Sequence, residues 1–201
     1  MLYKREQTST AGISDLKNAS HGHQHALAAA IHEAGHAVAA WRFGFRVIAA
    51  SLDINFIKTF RADDAVPASP MVAIIPSVRA RAAIERGSIR TKDEKTQILN
   101  LCAHYMAGPC AEYYFAPASY DRGWGSADWM MIGEILTTVE KNEARSKKLF
   151  NSARLHVDSF VREHLAEIRA FAQELDRKTT LLEPEINSLM HEITGIPAKA
   201  G

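Results

Sequence analysis

Residues 26–43 read ALAAAIHEAGHAVAAWRF, and this stretch decides the fold. It is rich in alanine, the residue with the highest intrinsic helix propensity, and it contains no proline. Gly44 follows directly, and glycine is a common residue just beyond the C-terminus of a helix. The sequence therefore predicts a core helix from about His25 to Phe43, which begins near Ser20 and ends at Gly44.

The segment before this helix, residues 1–25, is polar, rich in Ser, Thr and Lys, and without hydrophobic period. We expect it to be a poorly ordered tail, and we expect the domain to span residues 26–201. Three histidines alternate with Gly and Gln at positions 21–25. A glycine-containing tail gives them no rigid geometry, so we do not expect a metal site there.

Two stretches that favour β-structure follow the helix, at residues 45–54 and 71–75, and a polar, proline-containing loop separates them. The rest of the sequence has helical patterning, and it contains no internal repeat. The predicted fold class is therefore mainly α with a small β element.

The second half of the sequence divides into helices at recognisable caps and breaks. Thr91 and Glu94 have the spacing of a capping box, in which each side chain binds the backbone N–H of the other residue. The helix that they begin is expected to run to about Ala107 and to be interrupted at Gly108–Pro109, with a new helix through Phe115. Further helices are predicted at residues 127–139 after an N-cap at Ser126, at 143–177, and at 183–193 with Pro184 in the first turn.

The composition argues against several classes of function. The 201 residues carry 24 basic and 23 acidic side chains, a formal net charge of +1, which gives no electrostatic case for a nucleic-acid partner. Cys102 and Cys110 lack the spacing of a zinc knuckle and are expected to be reduced. No apolar run approaches the roughly 18 residues of a membrane span, and no signal peptide is recognisable. We therefore expect a cytoplasmic protein without a membrane anchor.

Residues 32–36, HEAGH, form an HExxH motif inside the predicted helix. Residues four apart lie on one helix face, so the imidazoles of His32 and His36 can bind a single zinc ion. Glu33 points beside the metal, where it can act as the base that activates the attacking water. Gly35 costs about 1 kcal/mol relative to alanine in a helix interior, and a close approach of another segment would explain its presence.

A catalytic zinc site needs a third protein ligand, because three protein ligands leave one coordination position open for water. The longer metzincin motif is excluded, since Ala39 and Arg42 stand at two of its required positions. The candidates elsewhere in the chain are Glu112, His104, Asp128 and Glu134. Asp128 lies in the first turn of a predicted helix, where the helix dipole favours a carboxylate with or without a metal. Spacing alone leaves Asp128 and Glu112 equally good.

The zinc helix resembles that of the FtsH-type proteases, which are membrane-anchored AAA+ metalloproteases, and further matches occur in the same order. Residues 107–112, AGPCAE, are similar to the GGRAAE segment of that family. Residues 125–128, GSAD, are similar to its ASND segment, whose aspartate is the third zinc ligand, and residues 180–186, TLLEPEI, to its closing LLE-x-E segment. The resemblance covers about residues 26–190. It implies an FtsH-type zinc peptidase fold with Asp128 as the third ligand, and it leaves Glu112 as a candidate partner of a ligand.

The function that this resemblance implies is a zinc-dependent endopeptidase acting on unfolded or short polypeptides. The chain departs from the family because it has no G-x-x-x-x-G-K-[ST] sequence, so no ATPase module is expected. The glycine-containing edge strand of the family's substrate groove is not recognisable, and residues 71–75 are a weak substitute that is more often a plain core strand. Action on folded proteins would require a separate unfoldase or self-association.

Two alternatives stay open at the level of sequence. The first is a catalytically inactive module that keeps the FtsH-type peptidase fold and serves in binding or regulation. The second is a helical interaction protein in which the HExxH motif is accidental. Residues 129–132, WMMI, could form a partner surface in that case, although apolar residues at this spacing are more often core.

Overall fold

The computed structural model describes the backbone at residues 11–53, 55–56, 66–67, 72–115, 117 and 125–196, and the side chains at 27–53, 55–56, 72–115, 117 and 125–196. The helices are α1 (Ala11–Arg42), α2 (Val78–Arg86), α3 (Lys92–Phe115), α4 (Ser126–Val139), α5 (Glu143–Glu163), α6 (Leu165–Lys178) and α7 (Glu183–Thr194). The strands are β1 (Arg46–Ser51), β2 (Val66–Pro67), β3 (Val72–Ile75) and β4 (Thr180–Leu182). The predicted fold class, mainly α with a small β element, is confirmed.

The first helix ends where the sequence predicted and begins earlier. Its last residue is Arg42, and Gly44 has φ +80°, the left-handed conformation that glycine adopts without strain. Its first residue is Ala11, whereas the sequence predicted a start near Ser20. No proline stands in this added stretch, and the lack of hydrophobic period does not by itself oppose a helix.

The predicted tail is described only in part. Residues 1–10 lie outside the described residues, and the backbone of residues 11–25 belongs to α1. The three histidines of positions 21–25 lie outside the described side chains. The boundary between tail and domain therefore stays a prediction.

The centre of the fold is the crossing of α1 and α3, with α6 against another side of α1. Ala30, Ala34 and Ala37 are completely buried on α1, so small side chains bring the two helix backbones close together. A Cβ on Gly35 would lie 2.5 Å from the carbonyl oxygen of Ala107. The close approach that the sequence predicted at Gly35 is therefore confirmed.

The strands form one antiparallel sheet in the order β2-β3-β1-β4. The regions predicted as residues 45–54 and 71–75 contain β1 and β3. Since β3 lies between β1 and β2, it is an inner strand, and Ala73 and Ile74 are paired on both sides. Strand β4 was not predicted, because three residues are too few to show a β period.

The third helix corrects one prediction and confirms another. Its capping box is formed, because Glu94 N–H donates to Thr91 Oγ1 at 3.0 Å and Thr91 N–H donates to Glu94 Oε2 at 3.1 Å. The predicted interruption at Gly108–Pro109 was wrong, since α3 continues through both residues. A proline costs about 3 kcal/mol in a helix interior, and the burial of α3 on several sides outweighs that cost.

The other helices differ from prediction at their ends. The segment 143–177 forms two helices, α5 and α6, which meet at His164 without a glycine or proline to mark the break. Ser126 is the first residue of α4 and not its N-cap; the N-cap is Gly125, which has no side chain to bind the helix N–H groups. Helix α2 was missed because most of its residues are polar or exposed, and Ser77 caps it. Pro184 lies in the first turn of α7, as predicted.

Several composition-based expectations can also be compared with the structure. Cys102 and Cys110 are both free thiols. Across the described ranges, no helix has the length and apolar character that crossing a membrane requires.

Of the segment 129–132, Ile132 belongs to the core, whereas Trp129 and Met130 are exposed. The predicted partner surface is thus divided between interior and exterior.

Thr179 supplies a first test of the fold, because it has φ +65° and ψ −32° between α6 and β4. A β-branched residue rarely adopts this conformation, which costs of order 1–3 kcal/mol. We expect Thr179→Gly to raise the free energy of unfolding by about 1 kcal/mol, less than the full strain because glycine also gains entropy in the unfolded chain. Urea denaturation measures the change. Thr179→Ala keeps the Cβ and should gain less, and a Thr179→Gly protein less stable than the wild type would show that no strain is stored there.

Candidate metal centre

His32, His36 and Asp128 bring three potential ligand atoms together inside the protein. The two histidines lie one turn apart on α1, and Asp128 extends toward them from the first turn of α4. Nε2 of His32 lies 3.2 Å from Nε2 of His36 and 3.3 Å from Oδ2 of Asp128. Nε2 of His36 lies 3.4 Å from Oδ1 of Asp128. The three residues that the sequence predicted as ligands are therefore neighbours in space, and all three are buried.

These distances suit one small metal ion. With metal–ligand bonds of about 2.0–2.1 Å, as zinc makes, tetrahedral coordination separates two ligand atoms by roughly 3.3–3.4 Å. The observed separations of 3.2, 3.3 and 3.4 Å are close to that value, and the two distances to Asp128 end on different oxygens, Oδ2 for His32 and Oδ1 for His36. When each residue offers one ligand atom, the three atoms lie within 4.8 Å of one another. Two imidazoles and a carboxylate occupy three positions of such an ion and leave a fourth position free.

The hydrogen bonds behind the histidines determine which ring nitrogen faces the centre. Nδ1 of His36 lies 2.8 Å from the carbonyl oxygen of His104, and because a carbonyl only accepts, Nδ1 carries the proton. Nδ1 of His32 donates in the same way to Oε2 of Glu112, at 3.2 Å. The Nε2 atoms of both rings are therefore directed at the centre, each with a lone pair when its ring is neutral.

Asp128 adds a third acceptor to the same point. Its Oδ1 atom is buried and has no hydrogen-bond partner among the described residues. The nearest ring nitrogen, Nε2 of His36, carries no proton when Nδ1 holds it, so it cannot donate to this oxygen. When both rings are neutral, three acceptors face one another, and they repel unless a proton or a metal ion lies between them.

The charge balance also favours a cation. Burial by itself would lower the pKa of His32, but hydrogen bonds to Asp128 and Glu112, together with the charge of Glu33, outweigh burial and raise this pKa to about 10. Burial likewise opposes ionisation of Asp128, yet the neighbouring His36 and His32 hold the pKa of this carboxyl well below its usual range. A proton on Nε2 of His32 and a metal ion would each neutralise the negative charge at the centre. Both require the same nitrogen atom, so metal binding would displace that proton.

The remaining sequence candidates fall outside the group of ligand atoms. Glu112 is buried behind His32 and contacts its Nδ1 atom, so it lies where the resemblance implied a partner of a ligand. His104 is buried behind His36 and binds that residue through two hydrogen bonds. Glu134 is exposed on α4. Glu33, the predicted base, is buried beside His32 on α1.

Gly108 is a residue of the centre that the sequence analysis missed. A Cβ at this position would lie 2.3 Å from Nε2 and 2.7 Å from Cδ2 of His36. The ring of the ligand therefore occupies space that only glycine leaves free. The sequence signal was the pair Gly108–Pro109, which was interpreted as a helix break because the partner of the glycine is distant in sequence.

No protein-family model matches the chain, and no curated protein matches it. The resemblance to FtsH-type proteases therefore depends on the order of the sequence motifs alone. It stays a prediction.

Gly108 and Gly133 form a matched pair for testing the steric role of glycine in the centre. Gly108→Ala should weaken zinc binding more than tenfold and lower stability by about 1–3 kcal/mol, because the new methyl group overlaps the His36 ring. Gly133 lies in α4 with nothing within 4 Å of its Cβ position, so Gly133→Ala should raise stability by about 1 kcal/mol. Calorimetric zinc titration and thermal unfolding measure both effects. Unchanged zinc binding by Gly108→Ala would contradict the packing described above.

The ligand assignment is tested by comparing the two buried carboxyl groups. We expect the wild type to bind one equivalent of zinc, and we expect His36→Ala and Asp128→Ala to lose most of this affinity because each removes a ligand. Glu112→Ala should weaken binding by about 10–100-fold, the usual effect of removing a hydrogen-bond partner of a ligand. Glu134→Ala is the control and should bind like the wild type. A stronger loss from Glu112→Ala than from Asp128→Ala would overturn the assignment.

Proposed function

We propose that the chain is a zinc-dependent metalloendopeptidase that hydrolyses peptide bonds of unfolded or short polypeptides. The observation that carries this proposal is the buried group of His32, His36 and Asp128, next to the glutamate of the same HExxH motif. The two Nε2 atoms lie 3.2 Å apart, and each lies 3.3–3.4 Å from one of the two Asp128 oxygens. A structural zinc site would normally be closed by four protein ligands, whereas three ligands are typical of a catalytic site.

The donor set also supports a transition metal such as zinc over calcium or magnesium. Calcium and magnesium prefer oxygen ligands in larger number, and this centre offers two imidazole nitrogens and one carboxylate. When bound, zinc supplies Lewis-acid polarisation of the scissile carbonyl and lowers the pKa of water to near neutrality. In this proposal, residues of the protein carry out the proton transfers and hold the ligands in place.

Glu33 is the proposed general base and acid. It takes a proton from the attacking water and later passes it to the amine that leaves when the peptide bond breaks. Its position on α1 places it directly next to His32, and its burial keeps it out of bulk solvent. Since α1 is held by α3 and α6, the base and both histidines belong to one rigid element.

Two groups keep the ligands in their working orientation. The carbonyl oxygen of His104 accepts from Nδ1 of His36, and Glu112 accepts from Nδ1 of His32. Each of these hydrogen bonds fixes the ring tautomer that directs Nε2 to the ion. In this proposal, they are the reason that the two rings need no rearrangement when the ion binds.

The proposed substrate is a polypeptide that is already unfolded, and the proposed partner for folded substrates is a separate unfoldase or a further copy of the chain. The strand β3 lies inside the sheet, so the substrate is not expected to pair with it. The two free cysteines are compatible with a reducing compartment, and the cytoplasm is the proposed location.

Glu33→Gln tests the mechanism separately from the metal site. The variant keeps the shape of the side chain and cannot accept a proton, so we expect zinc content to stay at the wild-type level and hydrolysis of unfolded casein to fall at least about 100-fold. Glu134→Gln makes the same chemical change on an exposed residue and should keep full activity.

The wild-type activity should disappear on chelation and return with zinc. If Glu33→Gln retains activity, the proposed base is wrong. If the wild type binds zinc and cleaves no polypeptide under any condition, the inactive binding module replaces the enzyme as the better account.

A further inference from the structure

We propose that His104 is a positioning residue for the metal centre, which holds the backbone of His36 and thereby sets the ring of that ligand. This inference rests on the proposed zinc-dependent function, because the ring needs exact placement only if it binds a metal. It goes beyond the HExxH motif and Asp128, since His104 lies on α3 and contributes no ligand atom.

His36 and His104 exchange two hydrogen bonds across the α1–α3 crossing. Nδ1 of His36 donates to the carbonyl oxygen of His104 at 2.8 Å, and Nδ1 of His104 donates to the carbonyl oxygen of His36 at 2.9 Å. Both acceptors are carbonyls, so both Nδ1 atoms carry the proton. The ligand is therefore held at its ring and at its own backbone by the same residue.

The hydrogen bond from His104 to the His36 carbonyl oxygen fixes the position of α1 relative to α3 at the His36 ring. The ring of His36 lies between Gly108 on one side and the ring of His104, whose centroid is 5.3 Å away, on another. A site of this kind tolerates displacements of only about 0.5 Å. If α1 slides along α3, Nε2 of His36 leaves the point that it shares with His32 and Asp128.

An imidazole at position 104 does not favour the stability of the fold, because part of it is a buried polar group without a partner among the described residues. His104 is completely buried, which favours the neutral ring, and its single N–H is on Nδ1, where it donates to the carbonyl oxygen of His36. Its Nε2 atom is buried without a hydrogen-bond partner among the described residues, and such an acceptor costs about 1–3 kcal/mol. An apolar side chain would avoid this cost. The hydrogen bond from Nδ1 is the one feature that an apolar side chain could not supply.

The test compares two side chains that have the same number of heavy atoms and the same branching at Cγ, His104→Asn and His104→Leu. The amide nitrogen of asparagine can take the place of Nδ1, whereas leucine has no donor. Competition with a chromophoric chelator gives the zinc dissociation constant, and the cobalt-substituted proteins give the ligand-field spectrum. We expect His104→Leu to bind zinc about 10–100-fold more weakly with an altered cobalt spectrum, and His104→Asn to stay close to the wild type in both.

The outcomes separate this inference from the proposed function. Equal zinc affinity and equal cobalt spectra in the two variants, with tight binding by the wild type, would overturn the role of His104 alone. A wild type that binds no zinc would overturn the metal centre, and this inference with it. Thermal unfolding of the metal-free variants shows whether either change acts through the stability of the fold.

A measurement on the unaltered protein covers the case in which His104→Leu does not fold. Nitrogen-15 NMR of the zinc-loaded wild type reports the tautomer of each histidine ring. We expect a proton on Nδ1 of both His36 and His104, with the Nε2 of His104 unprotonated and free of metal. A proton on Nε2 of His104 instead would remove the hydrogen bond on which the inference depends.

Discussion

The convergence of three hydrogen-bond acceptors on one buried point is the constraint on which the rest of the structure depends. His32, His36 and Asp128 direct nitrogen and oxygen atoms at one another at 3.2–3.4 Å, an arrangement that is costly without a positive charge between them. Three surrounding helices supply these acceptors and the groups that hold them in this orientation. Helix α1 gives two acceptors and α4 gives the third, while α3 binds the outer nitrogens of both rings. The geometry of the centre therefore depends directly on how these three helices pack.

Two glycines make that packing possible. Gly35 lets α1 lie against the backbone of α3 at Ala107, and Gly108 lets α3 receive the ring of His36. Each glycine costs about 1 kcal/mol in a helix interior, and the buried polar groups of the centre add to this cost. A ligand that binds only the folded state increases stability by mass action, so a metal ion bound at this centre would offset part of that cost.

The sequence allowed the local part of the centre to be predicted and left the distant part open. The HExxH motif needs only helix geometry to bring His32 and His36 to one face, and an alanine-rich segment without proline predicts that helix reliably. Nothing local relates Asp128 to them, and only the resemblance to FtsH-type proteases favoured it over Glu112. The structure places the Asp128 side chain beside both histidines and Glu112 behind one of them.

The errors along the chain have the same physical origin. Gly108–Pro109 looks like a helix break in the sequence, because the His36 ring that explains the glycine lies on another helix, far away along the chain. Strand β4 has three residues and exists through its pairing with β1, so its own sequence does not reveal it. Local rules describe what a segment tolerates, and tertiary contacts decide which tolerated conformation is used.

The first turn of α4 lacks a side-chain cap, and its one acidic residue, Asp128, contacts the histidines of the centre. A helix N-terminus usually gains about 1 kcal/mol from a side chain that caps its free N–H groups, but Gly125 offers none. Asp128, in the first turn, is the acidic residue best placed to compensate the helix dipole, and its carboxylate contacts His32 and His36 instead of capping the helix. The dipole still favours the anionic form at this position. The same carboxylate can therefore stabilise its helix through the field while it offers its oxygen atoms to a metal, and a ligand held ionised in this way needs no proton removed before it binds.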